Sequence, residues 1–163
     1  MDDPPPVPSA PRTLGELRAS ILDAHSAIRG ALARLMAASR SVSCGWTRSP
    51  AHLDETVRDL HERMHRHLAF EERYLPEIFD LLDGAGSPRT RALLAEHRVQ
   101  RAELDALLAA CIAGSDPPVE LATYAHRLAT SLLSDMAAEE RTFAFLDDAP
   151  EAPIERPAAG SGV

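Results

Sequence analysis

A chain of 163 residues carrying a net charge of −8 is long enough to bury the core of one domain. Its arginines are scattered among more numerous acids with no basic run, which argues against nucleic acid or an acidic membrane surface as a partner. The two cysteines, Cys44 and Cys111, stand far apart and outside any CxxC spacing, so neither a disulfide framework nor a thiolate zinc site is expected.

The first twelve residues are acidic and hold Pro4, Pro5, Pro6, Pro8 and Pro11, a composition that cannot carry a helix and reads as a disordered or extended lead. No apolar run follows it, and no stretch approaches the roughly 20 apolar residues of a membrane span. The expectation is a soluble, cytoplasmic protein with no membrane partner. Thr13, with Glu16 three residues on, is a capping-box start for the first helix, whose apolar face is Leu14, Leu17, Ile21, Ile28, Leu32 and Leu35. Residues 41–49, with Gly45 and Trp46, read as a loop. Ser49-Pro50 then opens a second helix, with proline at its first position. Val57, Leu60, Met64, Ile78 and Leu82 form its inner stripe, Pro76 is expected to kink or relax it, and Asp83-Gly84 is a glycine stop.

Ser87-Pro88 starts the third helix, with Leu93, Leu94, Leu104, Leu107, Leu108 and Cys111 inward. Residues 114–118, Gly-Ser-Asp-Pro-Pro, break the chain again. The fourth helix carries Leu121, Leu128, Leu132, Phe143 and Leu146 to about Asp147. Strand signal is nearly absent, because the core is built of Ala, Leu, Arg and Glu rather than β-branched or aromatic residues. Four long helices joined by short loops predict an all-α, antiparallel up-down-up-down four-helix bundle over residues 13–148. Residues 149–163, with Pro150, Pro153, Pro157 and a Gly-Ser-Gly finish, read as a second disordered tail.

Polar residues interrupt each apolar stripe. His25 lies between Ile21 and Ile28, His67 and Glu71 fall on the second stripe, His97 comes one turn after Leu93, and Asp135 and Glu139 sit between Leu132 and Phe143. An unpaired buried carboxylate costs several kcal/mol or takes up a proton, so a metal ion is the economical reason for such a stripe. The set also repeats, as one histidine followed by His67xxxGlu71, then another followed by Asp135xxxGlu139. Two such halves can meet about a pseudo-twofold axis, each with a glutamate placed to bridge two metals. Three imidazoles and three carboxylates suit iron or manganese better than calcium or structural zinc.

These segments resemble bacterial hemerythrin-like domains of the HHE type. The resemblance is carried by Asp23-Ala24-His25, by His67-Leu68-Ala69-Phe70-Glu71-Glu72 with Tyr74-Leu75-Pro76, by Glu96-His97, and by Asp135-Met136-Ala137-Ala138-Glu139-Glu140. It covers most of residues 13–147. It implies a pair of non-haem iron ions that bind dioxygen or a related small ligand such as peroxide or nitric oxide, with manganese or a mixed pair as variants. Matched position by position, it gives His25, His67, Glu71, His97 and Glu139 as ligands. Asp135 stands where the family pattern has histidine, and the added carboxylate favours the ferric state and moves the set toward ferritin-like oxidases.

Two rival functions follow. A di-iron enzyme of peroxidase, nitric oxide reductase or ferroxidase type would use the carboxylate-richer set, and a metal-responsive sensory or adaptor module would use the proline-rich tails. His61 and His65 are one turn apart and able to chelate, but beside Glu62, Arg63 and Arg66 they read as a solvated face. Glu72 and Glu140 point about 100° away from the motif glutamates and are expected in salt bridges or in hydrogen bonds behind the ligands. Met36, Met64 and Met136 read as core.

Overall fold

The computed structural model describes residues 11–46, 51–144 and 153–154. Four helices account for nearly all of them: α1 (Leu14–Ser43), α2 (Ala51–Asp83), α3 (Pro88–Ala113) and α4 (Pro118–Thr142). Local chemistry sets their ends. The Thr13 hydroxyl accepts from Glu16 N–H at 3.2 Å, while the Glu16 carboxylate accepts from Arg12 N–H at 2.6 Å. This capping box reaches one residue further back than the usual form. The Ser87 hydroxyl caps α3 by accepting from Arg89 N–H at 3.1 Å, and Pro88 follows as the first helical residue. Gly114 closes α3 at φ 60°, a left-handed backbone that glycine adopts without steric cost. The expected start of α2 at Ser49-Pro50 lies outside the described residues. Helix α2 continues unbroken through Pro76, giving up only the hydrogen bond that the Glu72 carbonyl would otherwise receive.

Contacts between helices establish their order and sense. Each helix packs on its neighbours in a ring, with α3 against α4 the loosest seam. Arg34 pairs with Asp59 and His25 meets His67, so rising numbers in α1 meet falling numbers in α2. His61 with Asp105 and Glu72 with Arg101 show the same for α2 and α3, as do Gln100 with Asp135 and Glu103 with Tyr124 for α3 and α4. The result is the antiparallel four-helix bundle that the periodicity predicts.

The apolar core falls into two clusters. One gathers Ile28, Leu32, Leu35, Leu60, Met64, Leu68, Leu104, Leu107 and Leu132 with their neighbours, and the other Leu17, Ile21, Leu75, Ile78, Phe79, Leu93 and Phe143. Each such side chain, fully buried, contributes about 1.5–3 kcal/mol. Leu82 departs from its predicted stripe: it is 56 % exposed, and Phe79 takes the inward position in the last turns of α2. Leu94, predicted inward, is also exposed, at 39 %. Pro153 and Ile154 return to the bundle, where Ile154 N–H donates to the Arg12 carbonyl at 2.8 Å and its side chain packs on the second cluster. The rest of both proline-rich tails lies outside the described residues. Among the described residues no helix is long and apolar enough to cross a membrane.

Candidate metal centre

Between the two apolar clusters lies a polar layer, one turn deep, to which every helix contributes. His25, Glu71 and His97 are 0 % exposed and His67 is 4 % exposed. The facing atoms are close. His25 Nε2 stands 3.2 Å from His67 Nε2, 3.5 Å from a Glu139 oxygen and 4.0 Å from Glu71 Oε1. Glu71 Oε1 is 3.5 Å from His67 Nε2, and its second oxygen is 3.3 Å from His97 Nε2. Glu71 therefore spans the layer, turning one oxygen toward the His25–His67 side and the other toward His97. Ligand atoms of His25, His67, Glu71 and Glu139 all fall within 4.8 Å of one another, a group that could hold a metal ion.

The remaining two predicted residues stand beside this group. His97 joins it through Glu71. Asp135 accepts a long hydrogen bond from the Gln100 side chain at 3.4 Å and lines a cleft of about 220 Å³ between α3 and α4, together with Glu96, Glu139 and Phe143. The loose α3/α4 seam is thus where the polar layer approaches solvent.

Behind the layer, each of two histidines is braced in the same way. His25 Nδ1 donates to Glu140 at 2.9 Å, and Arg29 holds the same Glu140 oxygen at 2.8 Å. His97 Nδ1 donates to Glu72 at 3.2 Å, and Arg101 grips both Glu72 oxygens at 2.5 and 3.0 Å. A proton held on Nδ1 leaves Nε2 as a lone pair facing inward, the tautomer a metal ligand needs. Arg29 and Arg101 each follow their histidine by four residues, one turn along the same face. That HisxxxArg repeat in α1 and α3 is a signal in the sequence that the reading of ligand types alone passed over.

Burial and mutual proximity set the electrostatics of these groups. Burial pushes the Glu71 carboxyl up, and the nearby Glu139 charge adds to it against the opposing pull of His97 and His25. Burial drives His67 down to about 3, with the charges of His25 and His97 acting in the same direction. Burial also works against charge on His25 and His97, yet both are raised, His25 by Glu139 and Glu140 and His97 by Glu71 and Glu72. Glu72 is lowered chiefly by Arg101, whereas Glu140 is lowered by His25 and Arg29 despite burial. At the cleft, burial followed by Glu139 and Asp135 raises Glu96.

Both Glu71 oxygens, His67 Nδ1 and His97 Nε2 are buried without a hydrogen-bond partner. Such atoms ordinarily cost about 1–3 kcal/mol each, more when charged. A di- or trivalent cation in the layer would reverse that cost for the inward-facing donors, because lone pairs that repel one another become ligands. The donor set therefore fits a metal of the iron or manganese type. His61 and His65 lie on another face of α2, where Asp105 of α3 reaches them.

The comparisons agree with this geometry. The model of the hemerythrin HHE cation-binding domain matches residues 17–144, spanning all four helices and all six polar-stripe residues. No curated protein and no solved structure matches the chain. With that match covering most of its length, the chain belongs to the hemerythrin HHE cation-binding domain family.

Proposed function

We propose that the protein is a hemerythrin-like non-haem di-iron protein that binds dioxygen, or a related small ligand such as peroxide or nitric oxide, inside the bundle. The observation that supports this most directly is the convergence of three imidazole Nε2 atoms and both Glu71 oxygens in one buried layer. His25, His67, Glu71 and Glu139 would hold iron at the centre of the layer, with His97 and Asp135 completing the ligand set of the pair. Bound iron would supply a redox centre able to bind a diatomic or peroxide ligand; manganese or a mixed pair would use the same donors.

The chain's own residues do the rest. Glu140 and Glu72, fixed by Arg29 and Arg101, hold the His25 and His97 rings so that Nε2 faces inward. Leu68 and Met136 belong to the apolar cluster on one side of the layer and Ile21 and Leu75 to the cluster on the other. The α3/α4 cleft gives a small ligand its approach. A cytoplasmic setting suits the two free thiols, Cys44 and Cys111.

Glu96 and Asp135 in the cleft favour a second reading, an enzyme that oxidises ferrous iron or turns over peroxide or nitric oxide, since two carboxylates at the mouth suit cation entry or proton delivery. Exposure of the reduced, iron-loaded protein to oxygen or nitric oxide separates the two. A binding protein takes up a stoichiometric amount and releases it under vacuum with its spectrum restored. Continued consumption when reductant is supplied would replace that reading with the enzyme, and no uptake by either route would refute both.

A further inference from the structure

His61 and His65 are one turn apart on α2, among Glu62, Arg63 and Arg66, and the sequence reads as a solvated face. Folding brings Asp105 of α3 to them. His61 Nε2 stands 2.7 Å from Asp105 Oδ1, and His65 Nε2 stands 3.2 Å from the same oxygen. The two imidazoles stack, with centroids 4.1 Å apart and planes 28° from parallel, so both nitrogens turn toward one carboxylate oxygen. The His61 contact is a hydrogen bond. His65 Nε2 is buried and makes none, although its side chain as a whole is 33 % exposed. Two imidazole nitrogens held this close to one carboxylate oxygen become ligands once a cation displaces their protons.

The spacing suits an ion. Nitrogen and oxygen ligands about 2.0–2.1 Å from a tetrahedral zinc stand roughly 3.3 Å from each other. The 3.2 Å His65 separation is close to that value, the 2.7 Å His61 contact is a hydrogen bond whose proton an ion would displace, and the ligand atoms of the three residues lie within 4.8 Å of one another. We propose that His61, His65 and Asp105 form a second, peripheral site for a divalent transition-metal ion of the zinc class, which clips α2 to α3. Two imidazoles and one carboxylate select zinc, copper or nickel over calcium and magnesium, which take oxygen ligands. Three protein ligands leave a fourth position for water, as in open zinc sites. Side chains here are partly exposed, in contrast to the buried layer, so this ion exchanges with solvent zinc while the interior metals stay in place. Because His61 and His65 share α2 with His67 and Glu71, the outer clip also steadies the helix that supplies half of the interior set.

The test uses the full chain, first given iron and then titrated with zinc, comparing the natural sequence with a His61→Gln, Asp105→Asn double variant. Neither substitution touches the buried layer, so helicity and iron content serve as controls. The expected result is one more zinc per chain in the natural protein than in the double variant, with a thermal midpoint that zinc raises by a few degrees in the former alone. Magnesium should produce neither effect. Equal zinc uptake by the two proteins overturns the proposal, as does zinc uptake that vanishes in Glu71→Gln while persisting in the double variant. Because the readout is a difference between two chains with the same interior, it holds whether or not that interior takes two irons.

Discussion

The two halves of the polar layer share an outer plan and differ at one inner position. On the α1/α4 side His25 donates to Glu140 and Glu140 is held by Arg29; on the α2/α3 side His97 donates to Glu72 and Glu72 is held by Arg101. The inner pairs are unlike. His67 with Glu71 sits fully within the layer, whereas Asp135, in the equivalent place before Glu139, turns to Gln100 and the α3/α4 cleft. The braces orient each histidine whatever stands opposite, so the inner donor can change without disturbing the fold. Its change makes one side of the layer closed and nitrogen-rich and the other open and carboxylate-rich.

Removing the group common to both halves should have the largest effect. Glu71→Leu is expected to abolish metal retention on both sides and, because it leaves the raised His25 and His97 imidazoles without the carboxylate they face, to lower the stability of the metal-free protein by about 3–5 kcal/mol. Metal content and urea melts check the two arms together. Next come the braces: Glu72→Gln and Glu140→Gln should each weaken metal binding by about 10–100-fold. Similar losses in chelator competition would support equivalent braces, and an effect confined to one variant would break the symmetry.

Acidification should weaken metal binding on both sides. In the metal-free protein the folded-state values of His25 and His97 are raised, so the stabilisation they give is present below about pH 6.5 and is lost as pH rises through those values. A metal must displace the same protons, and so its retention runs the opposite way, falling about tenfold per pH unit for each proton displaced. Chelator competition at several pH values measures the slope. A smaller effect is expected from Asp135→His, which gives the open half the donor of the closed one: metal content unchanged, and a reduction potential shifted upward because one carboxylate charge is gone. Leu82→Ala, on the exposed edge of α2, should alter stability by no more than about 0.5 kcal/mol.

Most of the fold was legible because each helix carries both a strong stripe and a local start or stop. Thr13, Ser87 and Gly114 do in the structure what their residue types predict. Periodicity failed in the last turns of α2: Leu82 continues the stripe in register but is more than half exposed, and Phe79 one position off the stripe is buried instead. The polar-stripe residues were legible because charge on an apolar face is conspicuous. Arg29 and Arg101 were not, since an arginine at the edge of a stripe is ordinary until its glutamate partner on another helix is known. Asp105 is an extreme case. An exposed aspartate 40 residues from His65 acquires meaning only when α3 is laid against α2.

Metal stoichiometry tests the centre most directly. Elemental analysis of the full chain, expressed with iron and stripped of loosely held ions by a chelator, should give two irons per chain and a near-ultraviolet charge-transfer absorption that bleaches on reduction. One iron or none per chain, in protein that remains helical and stable, would contradict the di-iron assignment and leave the buried layer as a polar network without its metal pair.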